Sequence, residues 1–274
     1  MNLSIMPIEV GWHLLGMGDI MRRAIIFPAM LLCAFAASSF ATAAEIKILS
    51  PGSTEGAFSE LLPQFEKSSG HSIAIDYGPV GALAARVGKG EAADVAILSE
   101  PQAVALRKQG KLVAGSETFI AKVGIGVFVR KGDPKPDISS VNAFLRSLAS
   151  ARVIAYADPT LGGSTSILIG ELMKSLDVTG SIGSRTKLVP PAKPLLDLVA
   201  SGGVDFGFNP ISEVLLDPRV ELVGPLPGEM QKYTRYVAAL VEGSRQEVAS
   251  KALMTFLSSP AAAAVMQTKG FEPL

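Results

Sequence analysis

The residue types suited to chemistry gather in four short loops of glycine, proline and hydroxyl side chains, each placed where a helical pattern begins. They are Ser50-Pro51-Gly52-Ser53-Thr54, Gly78-Pro79-Val80-Gly81, the stretch from Asp158 to Thr165, and Asn209-Pro210-Ile211-Ser212. A helix start carries unpaired backbone N–H groups and the positive end of the helix dipole, so such loops favour anions. Gly, Ser and Pro are also what any tight turn from strand to helix needs. One such loop alone points no further than a turn, whereas four in equivalent places point to a shared site for a small anion. The candidate ligand-binding residues are therefore Ser50, Gly52, Ser53 and Thr54 in the first loop and Pro79, Val80 and Gly81 in the second. The third loop contributes Gly163, Ser164 and Thr165, and the fourth Asn209 and Pro210. Arg86 and Lys193 lie on helices near the same place, and Glu55 and Glu213 are further polar candidates. His71, between Gly70 and a strand, reads as a solvated turn residue.

Alternating strand and helix signals must position these loops. Ile46-Lys47-Ile48-Leu49 reads as a strand, followed by a helix whose Phe58, Leu61, Leu62 and Phe65 fall on one face and which Gly70 ends. A strand over 72–77 leads to a helix around Leu83 to Val87, and one over 94–98 leads to a helix opened by Ser99 as cap, with Gln102 reaching back. Three such units predict a parallel sheet with right-handed crossovers. The pattern breaks at a long strand, 122–130, followed by the breaker-rich run 131–136. It restarts with a strand over 153–157, a helix ending at Leu176, a helix over 194–200 and a strand over 205–208. A second long extended segment, 233–241, precedes a helix capped by Ser244 and Glu247 and an alanine-rich helix after Pro260. Two long strands bracketing a second α/β set predict an α/β protein of two Rossmann-like lobes joined by a two-strand hinge. Lobe 1 comprises 45–124 and 237–274 and lobe 2 comprises 125–236, with crossings near Lys122 to Gly126 and Tyr236 to Ala239. Ligands of open α/β sheets bind outside the carboxyl ends of the strands, and two facing sheets can close on a ligand between them.

The segment from Met21 to Ala44 has a basic start at Arg22 and Arg23, an apolar run over 24–37 and a small-residue exit, the parts of a secretory signal peptide. Residues 1–44 are thus expected to be a leader removed on export to the periplasm, with translation starting at Met21. The lone cysteine, Cys33, the lone tryptophan, Trp12, and His13 leave with it. A mature chain without cysteine excludes disulfides, thiolate catalysis and zinc sites of the Cys/His type. The formal charge is zero, with 25 basic and 25 acidic residues, so nothing points to nucleic acid. About 230 residues remain, enough for two lobes with real cores.

At Ile48 to Thr54, Ala93-Asp94-Val95-Ala96-Ile97-Leu98-Ser99, Tyr156-Ala157-Asp158-Pro159 and the Gly202 to Gly207 stretch, the chain resembles the periplasmic solute-binding proteins of ABC transporters, most closely the molybdate-binding branch. The resemblance implies the type II binding-protein fold, a monomer without cofactor, a small anionic ligand and a membrane ABC permease as partner. It places the family's oxyanion-contacting positions on Ser53, Val80, Ser164, Ala192 and Pro210. The family has a serine-rich loop where this chain has Gly78-Pro79-Val80-Gly81, and a tyrosine where it has Pro210. Pro210 has no donor to offer, and Val80 only its N–H. A compact dianion would then be short of donors, and burying one without them is costly. An organic acid fits better, with Lys193 or Arg86 turned inward to pair with it. The wider family also includes isomerases of unsaturated tricarboxylic acids, an aconitate isomerase-like alternative. That reaction is an allylic proton shift and would need Glu55, Tyr77 or Glu213 as base.

Overall fold

The computed structural model describes residues 43–176, 180 and 183–272. The expected signal peptide falls almost wholly in residues 1–42, outside the described residues. The first strand, β1 (Glu45–Pro51), buries Ile46 and Ile48 on one face and Leu49 on the other. Helix α1 (Glu55–Ser69) turns Phe58, Leu61, Leu62 and Phe65 inward, and Gly70 ends it in a left-handed conformation with φ 74°. Then follow β2 (Ser72–Gly78), α2 (Val80–Gly88), β3 (Val95–Ser99) and α3 (Glu100–Lys108). β1 pairs in parallel with both β2 and β3, so the first three units form a parallel sheet.

The 13-residue strand β4 (Thr118–Arg130) joins two half-sheets. Its first part, to Gly124, pairs antiparallel with β9 (Tyr233–Leu240), and its second part, from Ile125, pairs with β7 (Phe206–Pro210) and β8 (Val220–Pro225). After β4 come α4 (Val141–Ser150), β5 (Ile154–Ala157), α5 (Ser164–Ser175), β6 (Thr186–Val189) and α6 (Lys193–Ala200). Between β7 and β8 sits the single turn α7 (Ile211–Val214), and α8 (Glu247–Leu257), α9 (Pro260–Thr268) and β10 (Phe271–Glu272) close the chain. The strand order is β2-β1-β3-β9-β4-β7-β5-β6, with β8 and β10 also on β4. Alternate strand residues feed different clusters: Val95 and Ile97 face one core and Ala96 and Leu98 another, while Val127 and Phe128 separate likewise in the second half-sheet. Both faces of each half-sheet are covered, which explains why the strands read as continuous apolar runs.

Some local expectations fail for physical reasons. Ser99 makes no capping bond and the buried Oε1 of Gln102 has no partner, so the reciprocal cap does not form. Ser244 instead donates to Asp94 Oδ1 at 2.8 Å, tying the start of α8 to β3, and α8 itself begins after an uncapped Gln246. Helix α4, capped by Ser140 with Ala143, Phe144 and Leu148 turned inward, and the short, half-exposed strands β6, β8 and β10 are absent from the sequence expectations. Tyr236 to Ala239 lie inside the first half-sheet, paired with Ser99 to Ala96. The return from β8 to β9 runs through 226–232, where Gln231 clamps β4: its Nε2 donates to the Ile125 carbonyl (3.1 Å) and its Oε1 accepts from the Ile125 N–H (3.0 Å).

Candidate functional site

A cavity of about 220 Å³ opens where the carboxyl ends of the strands of the two half-sheets meet. Helix starts ring it. The turn Gly52–Thr54 leading into α1, then α2, α5, α6 and α7, all begin at its wall. The residues preceding them are Pro51, Thr54, Pro79, Gly163, Ala192 and Pro210, and none makes a side-chain capping bond. Elsewhere in the chain Ser140, Ser259 and Asp158 do cap the turns that follow them. Five of the six uncapped positions are proline, glycine or alanine, whose side chains cannot accept from an N–H. The sixth, Thr54, has its hydroxyl diverted: it donates to the Pro51 carbonyl at 2.8 Å and lies 2.6 Å from Ser50 Oγ. Side chains of the preceding residues thus claim none of the helix-start N–H groups, although Gly81 of α2 gives its N–H to the Gly162 carbonyl and Pro194 of α6 has none.

The structure brings Gly52, Ser53, Pro79, Val80, Gly163, Ser164, Thr165, Ala192, Asn209 and Pro210 together on the cavity wall. Ser50 and Thr54 are buried behind it, bonded to each other. Gly81 sits beside the wall and bridges the two half-sheets, its N–H donating to the Gly162 carbonyl at 2.9 Å. A Cβ on Gly81 would stand 2.7 Å from that oxygen. Lys193 does not turn inward. Its Nζ bonds Asp197 Oδ1 at 3.0 Å on an exposed side chain, and it lines an outer hollow with Ala192 and Glu213. Arg86 is likewise held away, by Asp76 and by Glu91 (Nε to Oε2, 2.6 Å). Carboxylates no more than ten residues away in the chain have claimed both cations.

Among the described residues the cavity wall holds no lysine, arginine or histidine; its titratable side chains are Glu55, Tyr77, Glu213 and Tyr236. Glu213 is only partly exposed, and burial pushes its carboxyl up from 4.5 to about 7; the Asn209 amide opposes this and the Glu55 charge adds to it. Asn209 Nδ2 donates to Glu213 Oε2 at 2.9 Å. Burial, then Glu55, pushes the Tyr77 hydroxyl up to about 12. Burial also raises Tyr236, against the hydrogen bond from Ser53, and Glu213 adds a smaller push. Ser53 Oγ and Tyr236 Oη lie 2.7 Å apart and either can donate, so with Tyr236 as donor the Ser53 proton is free for a ligand. Ala192 holds φ 65° and ψ −128°, a conformation costly for any residue with a Cβ. Tyr236, Ala157, Ser166 and Pro191 reach the wall without any local sequence signal. The arrangement can hold an anion on neutral donors and exchange a proton with it through Glu213.

Residues 46–272 match the family model described as bacterial extracellular solute-binding protein. The aconitate isomerase of a Pseudomonas species is 31% identical over 234 residues, covering 84% of this chain and 88% of that protein. The molybdate-binding protein ModA of Azotobacter vinelandii is 25% identical over 240 residues, covering 84% of this chain and 91% of that one. Among solved structures, an Azotobacter vinelandii periplasmic molybdate-binding protein superposes with a TM-score of 0.71 at 19% identity, over 84% of this chain and 99% of that one. The mixed α/β architecture is that of the type II periplasmic binding proteins. A match running from the second residue of β1 to the last residue of β10 means that this chain belongs to the bacterial extracellular solute-binding protein family.

Proposed function

We propose that the protein is a periplasmic receptor that captures a small organic di- or tricarboxylate and hands it to an ABC permease. The uncapped helix starts around a cavity with no cation among its described residues carry this reading. They supply neutral donors from several directions, while Pro79, Val80, Ala157, Pro191 and Pro210 make the remaining wall largely apolar. A compact oxyanion needs donors on every side, and Pro210 has none to give. A carboxylate on a carbon skeleton places its charge on the helix starts and its methylenes on the prolines. Residues 45–124 with 237–274, and residues 125–236, act in this reading as lobes that close on the ligand. The test is a thermal-shift and calorimetric panel of citrate, aconitate, molybdate and sulfate. A ligand at 100 times its Kd stabilises the native state by about 2.7 kcal/mol. Carboxylates are expected to stabilise most; submicromolar molybdate binding with none for citrate or aconitate overturns the reading.

The relative that is an aconitate isomerase, together with Glu213 in the cavity wall, supports a second reading on the same cavity. An allylic shift breaks a C–H bond beside the double bond, moves the double bond along the skeleton and returns a proton at its far end. A carboxyl that titrates near neutrality suits both halves of that exchange. Incubating the protein with cis-aconitate in D2O decides it. Conversion with deuterium entering the product supports catalysis, and an unchanged proton spectrum removes it.

A further inference from the structure

Two carboxylates, Glu213 and Glu55, face a cavity that presents no described cation to its ligand. An anion entering beside an ionised, poorly solvated carboxylate is repelled, and the repulsion can be relieved by a cation or by a proton. The cations are committed elsewhere. Lys193 and Arg219, which share the outer hollow with Glu213, are paired with Asp197 and, for Arg219, also with Asp217. The elements packed on α7 offer nothing closer. Lys122 and Arg130 of β4 are paired with Glu272 and Asp133, Glu221 of β8 with Lys135, and β7 and the Gly52–Thr54 turn carry no ionisable side chain. Tyr236 on β9 and Tyr77 on β2 are neutral, raised phenols. Among the described residues Asn209 makes the one hydrogen bond to the Glu213 carboxyl, through Oε2, which leaves Oε1 available as the protonated, donating oxygen.

We infer that anion capture and proton uptake are a single event at this site: the entering anion draws one proton from solvent onto Glu213, which then donates its O–H to the ligand. Glu213 is therefore a specificity-determining donor, and it acts as an acid where the described cavity wall offers no basic side chain. The inference rests on the reading that the cavity captures an anion, not on which anion it is. In the free protein the carboxyl already titrates near neutrality, and a negative ligand raises it further, so neutral to mildly alkaline solution is where capture takes up the proton. By linkage, affinity then falls as pH rises through that window, by up to about tenfold per pH unit.

Calorimetric titration of the full mature chain with citrate and with molybdate, in buffers of different ionisation heat at pH 8, counts the protons exchanged. The ligand's own ionisation is measured separately and subtracted. The expected result is uptake of roughly half to one proton per ligand bound, and affinity at least about tenfold weaker at pH 9 than at pH 7. Glu213→Gln should flatten that pH profile to about twofold or less, because its amide cannot titrate. Binding of either anion without proton uptake, or a Glu213→Gln profile parallel to the wild type, overturns the inference. The proton count on the wild-type chain stands by itself should the variant fail to fold. Absence of binding for both anions between pH 6 and 9 refutes anion capture itself and the inference with it, a result distinct from binding without protons.

Discussion

Ser53 and Tyr236 lie 183 positions apart and share a 2.7 Å hydrogen bond in the cavity wall, so neither can be changed as an isolated ligand contact. Ser53→Ala leaves the buried Tyr236 hydroxyl unpaired and is expected to cost about 1–3 kcal/mol of folding stability as well as ligand affinity. Urea unfolding checks this, and an unchanged midpoint would mean the tyrosine finds another partner. Glu213 affects stability through pH. Its folded pKa, about 7, lies above its ordinary 4.5, so the folded chain holds the proton more tightly than the unfolded chain. The stability tied to that proton is complete below about pH 4.5 and is lost as pH rises through about 7. Glu213→Gln is spared this loss. Its melting temperature relative to wild type should climb between pH 5 and 7.5, by the equivalent of about 2 kcal/mol once the carboxyl's partial exposure to the cleft is discounted. A difference that stays constant with pH would contradict the assigned titration.

At the scale of elements, the site is made by helix starts deprived of caps. Prolines at 51, 79 and 210 fix the entry into a helical turn without a side-chain acceptor, and Gly163 and Ala192 do the same without proline. Helix α2 adds a close approach, with the Gly81 N–H donating across the cleft to the Gly162 carbonyl. Alanine at position 81 should improve helix propensity by up to about 1 kcal/mol. Its Cβ would meet the Gly162 oxygen at 2.7 Å, so the two loops could no longer approach. Because the clash is with backbone, which must shift, and the hydrogen bond is lost, Gly81→Ala is expected to lower the melting temperature despite the helix gain and to weaken citrate binding about tenfold or more. Tight binding by this variant would show that the contact is dispensable. The loops themselves were legible from turn residues beside apolar periodicity. Which of their residues face the cavity was not, because Ser50, Ser53 and Thr54 all offer a hydroxyl and only the fold decides which one points inward.

For the whole molecule, the two half-sheets share β4, and the return path is fastened to it by Gln231 through both atoms of its amide. If these strands flex as a hinge, saturating citrate should reduce the radius of gyration in solution scattering, and an unchanged profile would count against closure. The sequence alone determined the alternation of strands and helices, the parallel order of the first three units, the loops that meet at the site and the absence of any cysteine after Cys33. These are properties of spacing and composition, written within a few residues of one another. The tertiary structure decided the rest. It brought Tyr236 to Ser53 and Glu213 near Glu55, it paired Tyr236 with Ser99 in mid-sheet, and it left Lys193 and Arg86 with nearby acids rather than with the ligand. Proximity across such distances in the chain follows from sheet register and from which face each side chain takes. Both are fixed by burial of the whole core, which no local pattern contains.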